Sequence, residues 1–238
     1  MALLEVERLV AGYQGMPIVH GVDIAVEAGE VVAVVGPNGA GKSTLIKAIF
    51  GLSEVMSGEV RLAGERLNGE RPSRVVARGL AYVPQVQNVF PSLTVRENLE
   101  MGGYLQPHLL EERIEAVVAM FPDLGAAMRR RAGELSGGQR NMLALARALM
   151  TQPKVMLLDE PTAGLSPLLT DRVFEHIAKV AAAGIGVLLV EQNARRALLE
   201  AKRGYVMVNG RVAFAGEGKA LVDDPDVVAS YLGSGLAS

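Results

Sequence analysis

Val31-Val32-Ala33-Val34-Val35-Gly36-Pro37-Asn38-Gly39-Ala40-Gly41-Lys42-Ser43-Thr44 is the stretch that decides how this chain reads. Val31 to Val35 have no polar face, so the strand they form is covered on both sides, as strands of a parallel sheet are. Gly36 to Ser43 then fit G-x-x-x-x-G-K-[ST], and Leu45, Ile46 and Ile49 follow at helical spacing. A phosphate loop between a buried strand and an amphipathic helix is expected. Its glycines let successive N–H groups turn inward, and the helix adds its positive end. Gly36, Asn38, Gly39 and Gly41 are the candidate cradle. Lys42 is expected on the β- and γ-phosphates, Ser43 on Mg²⁺ and Thr44 on a phosphate oxygen.

Working outward, the pattern of the buried strand recurs at Val155-Met156-Leu157-Leu158 and at Val187-Leu188-Leu189-Val190, with helical stretches between. That order predicts an α/β doubly wound core. Upstream, Leu3 to Val10 mixes apolar and charged residues like an edge strand. Val19 to Val26 alternates weakly, and Ala28-Gly29-Glu30 makes a turn. From about Phe90 to Met150 strand-like alternation disappears. Thr94-Val95-Arg96-Glu97 is a capping box opening a helix. Leu110, Ile114, Val117, Val118 and Phe121 recur at helical spacing up to Pro122, and Met142, Leu145, Ala146 and Leu149 form a second stripe. The expected organisation is one domain, with residues 1–89 and 151–232 as the α/β core, 90–150 as an inserted helical subdomain, and Gly233 to Ser238 as a frayed tail.

Composition sets the outer limits. Half of the 238 residues are hydrophobic and a fifth charged, and the mean hydropathy is +0.25, which excludes intrinsic disorder. Five Tyr, five Phe and no Trp leave Val, Leu, Ile, Ala and Met to build the core. With 24 basic and 26 acidic residues the net charge is −2, which offers no electrostatic footprint for nucleic acid. There is no cysteine, hence no disulfide, thiolate metal site or cysteine nucleophile. The longest uncharged apolar run, Val180 to Val190, is well short of the roughly 20 residues of a membrane span. Glu5, Glu7 and Arg8 interrupt the stretch where a signal peptide would need an apolar core, so a cytoplasmic location is expected.

Asp159 ends the second buried strand and Glu160 follows it. Adjacent carboxylates at a strand's C-terminal end, beside a phosphate loop, suggest two tasks: Asp159 holding Mg²⁺ through water, and Glu160 polarising a water for in-line attack. Leu135-Ser136-Gly137-Gly138-Gln139 opens the later helix, with Ser136 as N-cap and the glycines baring the first-turn amides. From the residues alone, this is equally an ordinary capped helix and an anion site.

Taken together these motifs resemble the ATP-binding subunits of ABC transporters, for which LSGGQ at 135–139 is the signature, and the resemblance runs from about Leu3 to Leu232. It implies a P-loop NTPase (RecA-like) core with an N-terminal antiparallel β part and an inserted α-helical subdomain. It also implies ATP and Mg²⁺ as cofactors and a head-to-tail pairing of two ATPase subunits. In that pairing Ser136, Gly138 and Gln139 of one subunit complete the site built by Lys42 of the other. Tyr13, by residue type a packing residue after a strand, matches the aromatic that stacks on adenine. Gln85, in Tyr82-Val83-Pro84-Gln85, matches the glutamine that touches Mg²⁺ and senses the membrane subunit, and Glu160 matches the catalytic glutamate.

Two positions depart from the family pattern. Gln192, in Glu191-Gln192-Asn193, stands where a histidine usually contacts the γ-phosphate. Its amide can donate a hydrogen bond or hold the attacking water but cannot take up a proton. The loop after Glu160 usually ends in Leu-Asp and here runs Ala163-Gly164-Leu165-Ser166. These departures, with Val89-Phe90-Pro91-Ser92-Leu93-Thr94-Val95 and Tyr231-Leu232-Gly233, resemble the shorter ATPase of branched-chain amino-acid importers; relatives for urea or short amides share much of this. The implied partners are two membrane-spanning permease subunits, a second ATPase subunit and, indirectly, a solute-binding protein. The place of work is the cytoplasmic face of a bacterial inner membrane. A soluble ABC ATPase of DNA repair or translation usually carries long coiled coils or two ATPase units, for which this chain has no room. A GTPase would want an N-K-x-D element, and none is present.

Overall fold

The computed structural model describes residues 2–86 and 88–228. The expectations for Tyr231-Leu232-Gly233 and for Gly233 to Ser238 lie outside them. Two sheets organise the chain. The strands are β1 (Leu4–Tyr13), β2 (Met16–Val26), β3 (Val31–Val35), β4 (Glu54–Leu62), β5 (Glu65–Arg66), β6 (Leu80–Val83), β7 (Val155–Asp159), β8 (Gly186–Glu191), β9 (Arg203–Val208) and β10 (Arg211–Glu217). One sheet runs β2-β1-β4-β5 and is antiparallel; the other runs β10-β9-β3-β8-β7-β6. In the second sheet every pairing is parallel except the hairpin of β9 with β10.

The apolar strands at the centre of that sheet do what their composition predicts. Ala33 and Val35, Met156 and Leu158, and Val187 and Leu189 point into one core. Val32 and Val34, Val155 and Leu157, and Leu188 and Val190 point into another. The first core is filled by helices and the second by the antiparallel sheet with α1 (Lys42–Ile49) and α2 (Pro72–Ala77). A strand buried on both faces has no position to spare for a polar residue until its end, and Asp159 and Glu191 stand at such ends.

The first strand is not an edge. β1 lies between β2 and β4 and bonds to both. Its charged residues reflect one exposed face: Leu4, Val6 and Leu9 are buried while Glu7 and Arg8 are exposed. Both pairings shift register between Val6 and Val10, where Arg8 adopts a φ of 46°, the local mark of a bulge.

Between β6 and β7 the described elements are helical: α3 (Val95–Gly102), α4 (Leu110–Met120), α5 (Pro122–Gly125) and α6 (Gly137–Leu149). Thr94 caps α3 reciprocally with Glu97, as the capping box predicts. Pro122 does more than end α4, because it is the first residue of α5, where a missing N–H is harmless. The remaining helices are α7 (Pro167–Ala182), α8 (Ala194–Glu200), α9 (Gly218–Asp223) and α10 (Pro225–Val227).

An ion pair beside the start of β3 and β9 reaches across to β2 through a backbone carbonyl. Glu30, 3 % exposed, receives Arg203 Nε and Nη2, both at 2.6 Å, and Arg203 also donates to Ala25 O at 3.1 Å. Burial opposes ionisation of Glu30, but the Arg203 hydrogen bond, the Glu27 N–H and the charges of Arg203 and Lys202 together hold its pKa below the usual carboxylate value. A depressed folded-state pKa gives stability that is present above the unfolded-state pKa and is lost as pH falls through the folded-state one. Glu30→Gln is therefore expected to cost about 2 kcal/mol at neutral pH. The gap from wild type should close as pH drops below about 4, which thermal melts of both proteins across pH 3 to 7 will read.

Candidate functional site

The phosphate loop occupies residues 36–41, between the C-terminal end of β3 and the start of α1. Two of its glycines are obligatory on geometric grounds. A Cβ on Gly36 would stand 2.2 Å from Met207 O, and Gly41, the N-cap of α1, has a φ of 95° that side-chain-bearing residues avoid. Lys42 is buried at the first position of α1, and its Nζ donates to Gly36 O at 2.8 Å and to Pro37 O at 3.1 Å. The ammonium is thus folded over the loop it serves. Burial lowers its pKa, against the pull of the Glu160, Asp159 and Glu191 carboxylates.

Three carboxyl-terminal strand ends meet here. Val35 pairs with Glu191 and Asp159 with Val190, so β3, β8 and β7 finish side by side, the usual place for ligands on an open α/β sheet. Ser43 Oγ donates to Asp159 Oδ1 at 3.1 Å, and Tyr82 Oη to Asp159 Oδ2 at 3.1 Å. Gln85 Nε2 donates to Glu160 Oε2 at 2.8 Å. Ser43, Gln85, Asp159 and Glu160 therefore form one contiguous cluster beside Lys42, and Thr44 is buried one residue further into α1. Asn38 and Gly39 are exposed at the mouth of the loop, and Gln192 is exposed immediately beyond β8. Tyr13, 41 % exposed, ends β1 at its hairpin with β2.

Ser136, Gly138 and Gln139 stand apart. Ser136 is the N-cap of α6, accepting from Gln139 N at 3.3 Å while Gln139 Oε1 accepts from Ser136 N at 3.1 Å. Gly138 lies against the start of α7, where a Cβ on it would meet Leu169 at 2.8 Å. The signature is thus a self-contained helix end, with Ser136 exposed and Gly137 to Gln139 half-buried, and not a wall of the Lys42 site of its own chain. Ser166, after the Glu160 loop, holds the N-cap position of α7 without a side-chain capping bond.

Four residues, Tyr82, Asn141, Thr162 and Glu191, go beyond the sequence reading. Tyr82 braces Asp159, and its phenol is pushed up in pKa by burial and by that carboxylate. Glu191 is 1 % exposed and accepts from Thr162 N at 2.9 Å and Thr162 Oγ1 at 2.7 Å with one oxygen, and from Gln192 N at 3.1 Å with the other. Burial raises its pKa, while the bonds from Thr162 and Gln192 work in the opposite direction. Asn141, on α6, donates its side-chain amide to Pro161 O. Between these anchors Glu160 adopts a φ of 47°, a left-handed conformation that costs a non-glycine residue about 1–3 kcal/mol. Glu191 carried a usable signal, a carboxylate ending an otherwise apolar strand, the same signal that singled out Asp159.

The ABC transporter family profile matches residues 19–163, from β2 through the phosphate loop and the signature to the turn after Glu160. The chain belongs to the ABC transporter family. Over 223 residues it is 45 % identical to the probable branched-chain amino acid transport ATP-binding protein LivF of Archaeoglobus fulgidus, covering 93 % of this chain and 94 % of that one. It is 41 % identical over 232 residues to the high-affinity branched-chain amino acid transport ATP-binding protein BraG of Pseudomonas aeruginosa, covering 97 % and 100 %. Among solved structures, the ADP conformation of an ATP-binding cassette of an ABC transporter superposes with a TM-score of 0.88 at 32 % identity, over 98 % of this chain and 99 % of that one. This ABC chain is accordingly an ATPase built on the P-loop NTPase fold. No helix among its described residues is long and apolar enough to cross a membrane.

Proposed function

We propose that this ABC ATPase energises the import of branched-chain amino acids, working peripherally at the cytoplasmic face of a bacterial inner membrane. The observation that carries the cargo is the identity of 45 % and 41 %, over nearly the full length of both chains, to two proteins named for that transport. In this reading, residues 90–150 are a helical subdomain inserted in the nucleotide-binding core. The chain pairs head to tail with a second ATPase subunit, beneath two membrane-spanning permeases that a solute-binding protein supplies. Ser136, Gly138 and Gln139 close over the nucleotide held by the partner's phosphate loop. The exposure of Ser136 at the tip of that self-contained helix end supports such a use.

Within one site, Tyr13 stacks on adenine, and the loop from Gly36 to Thr44 cradles the phosphates, with Lys42 on the β and γ groups. Ser43 Oγ and Asp159 Oδ1 are hard oxygen donors 3.1 Å apart. The described residues hold no cluster of three or more His, Cys, Asp or Glu fit for a metal. That set suits Mg²⁺, which takes one or two protein ligands and completes its shell with water and substrate phosphate. Ser43 and Gln85 would hold it directly and Asp159 through water. When bound, it neutralises charge on the phosphates. Glu160 takes the proton of the attacking water. Gln192 orients that water or the γ-phosphate by hydrogen bonding, and because an amide does not titrate, no proton passes through it.

Gln192→His is expected to preserve or raise hydrolysis, since imidazole also donates a hydrogen bond; steady-state ATPase rates will read it. A large loss would assign the amide a specific role of its own. The function is tested by tagging the chain in its native host, solubilising membranes in mild detergent and identifying what co-purifies. Two different multi-span proteins and a second, longer ATPase, followed by ATP-dependent amino-acid uptake, are expected. Recovery only from the soluble fraction, alone or with ribosomes or DNA, would remove the transport reading and leave the ATPase.

A further inference from the structure

The left-handed backbone at Glu160 has to be held in place, because a strained residue persists only where its surroundings over-determine it. Glu160 N donates to Val190 O at 2.8 Å, and Ala163 N closes a turn onto Glu160 O at 3.1 Å. Those backbone bonds fix the residue's own ends. The next two residues are held by side chains from different elements. Pro161 O accepts the Asn141 amide from α6, and Thr162 gives both its N–H and its hydroxyl to Glu191 Oε1 at the end of β8. Asn141 and Glu191 are 7 % and 1 % exposed. A polar group so deeply buried is unfavourable unless it is bonded, and each spends a bond on this same short segment. The carboxylate that results stands on Gln85 at 2.8 Å.

We propose that Asn141 and Glu191 are positioning residues for Glu160, holding the Pro161-Thr162 segment so that the carboxylate is presented to the attacking water in one orientation. Both act on Glu160 through the backbone of the segment that follows it, and the Glu191 carboxylate also adds to the field around Lys42, which the neutral Asn141 does not. Asn141 sits one turn into the helix that Ser136 caps, so a hydrogen bond joins the signature helix to the residue that follows the general base of the same chain. The inference rests on the reading of Glu160 as the base.

The test uses the full-length chain assembled with its co-purifying subunits. Asn141→Leu keeps the volume and removes the donor. Glu191→Gln keeps an acceptor for Thr162 and sets an amide against the Gln192 N–H. Each is expected to lower kcat about tenfold or more, the scale of a misplaced catalytic group, with KM for ATP changed less than about twofold. On a Glu160→Gln background, the same substitutions are expected to cost almost nothing further, since the group they position is gone. Unchanged kcat in the single variants, beside a large loss in Glu160→Gln, would overturn the inference and leave the base intact. So would losses that multiply in full on the Glu160→Gln background, because those mark a general structural role. Near-normal hydrolysis by Glu160→Gln alone would remove the base and the inference with it. If Asn141→Leu does not fold, Thr162→Val, which deletes one hydroxyl, carries the same comparison beside Glu191→Gln.

Discussion

Glu160→Gln is expected to lower ATP turnover by about 10²–10⁴, the usual contribution of a general base, while leaving ATP binding intact. The substitution is nearly isosteric, and the residue's backbone bonds to Val190 and Ala163 do not involve the side chain. Basicity is lost, and with it one of the negative charges facing Lys42. Lys42, Ser43 and Asp159 are untouched, so the cradle that binds the phosphates remains. The informative measurement is paired: single-turnover hydrolysis and direct nucleotide binding on the same preparation. A Glu160→Gln protein that binds ATP and retains near-normal hydrolysis would show that the proton leaves by another route.

Lys42→Ala is expected to act on the other half of that pair and to weaken nucleotide binding by about 10²–10⁴. Two charge-assisted hydrogen bonds to phosphate oxygens, each worth about 1.5–3 kcal/mol, set that scale. The structure adds a second consequence. Lys42 is the cation that the Asp159, Glu160 and Glu191 carboxylates face, so its removal leaves an uncompensated negative cluster where a polyanion must sit. Lys42→Arg is not expected to rescue binding, because the site is 5 % exposed and shaped around a compact ammonium whose Nζ reaches two loop carbonyls. Calorimetric titration with ATP distinguishes the cases. Affinity within a factor of three of wild type in Lys42→Ala would place the phosphates elsewhere.

Much of this was legible in the chain itself, and the parts that were not share a cause. β3, β7 and β8 could be read because both faces of each are buried, which turns their sequences into unbroken apolar runs. The phosphate loop could be read because backbone geometry restricts it to glycine at Gly36 and Gly41. β1 was expected at an edge because its charges report exposure on one face, whereas edge or interior position depends on hydrogen bonds made in the plane of the sheet, which side chains do not record. Asn141 was invisible for a related reason. A polar residue on a helix looks the same whether it faces water or donates to a carbonyl twenty residues away, as Asn141 does to Pro161. The bond between Gln85 and Glu160 spans 75 residues, and no local pattern anticipates it.

The central sheet, whose alternate residues belong to opposite cores, has a consequence for how the protein comes apart. A wall common to two rooms cannot be removed from one of them only. Loss of packing on the helical side strips Ala33, Met156 and Leu189 and loosens the very strands that seat Val34, Leu157 and Leu188 on the other. The two cores are therefore coupled through the apolar stretches of β3, β7 and β8. On heating, such a chain melts as one cooperative body, with the calorimetric and van't Hoff enthalpies in agreement.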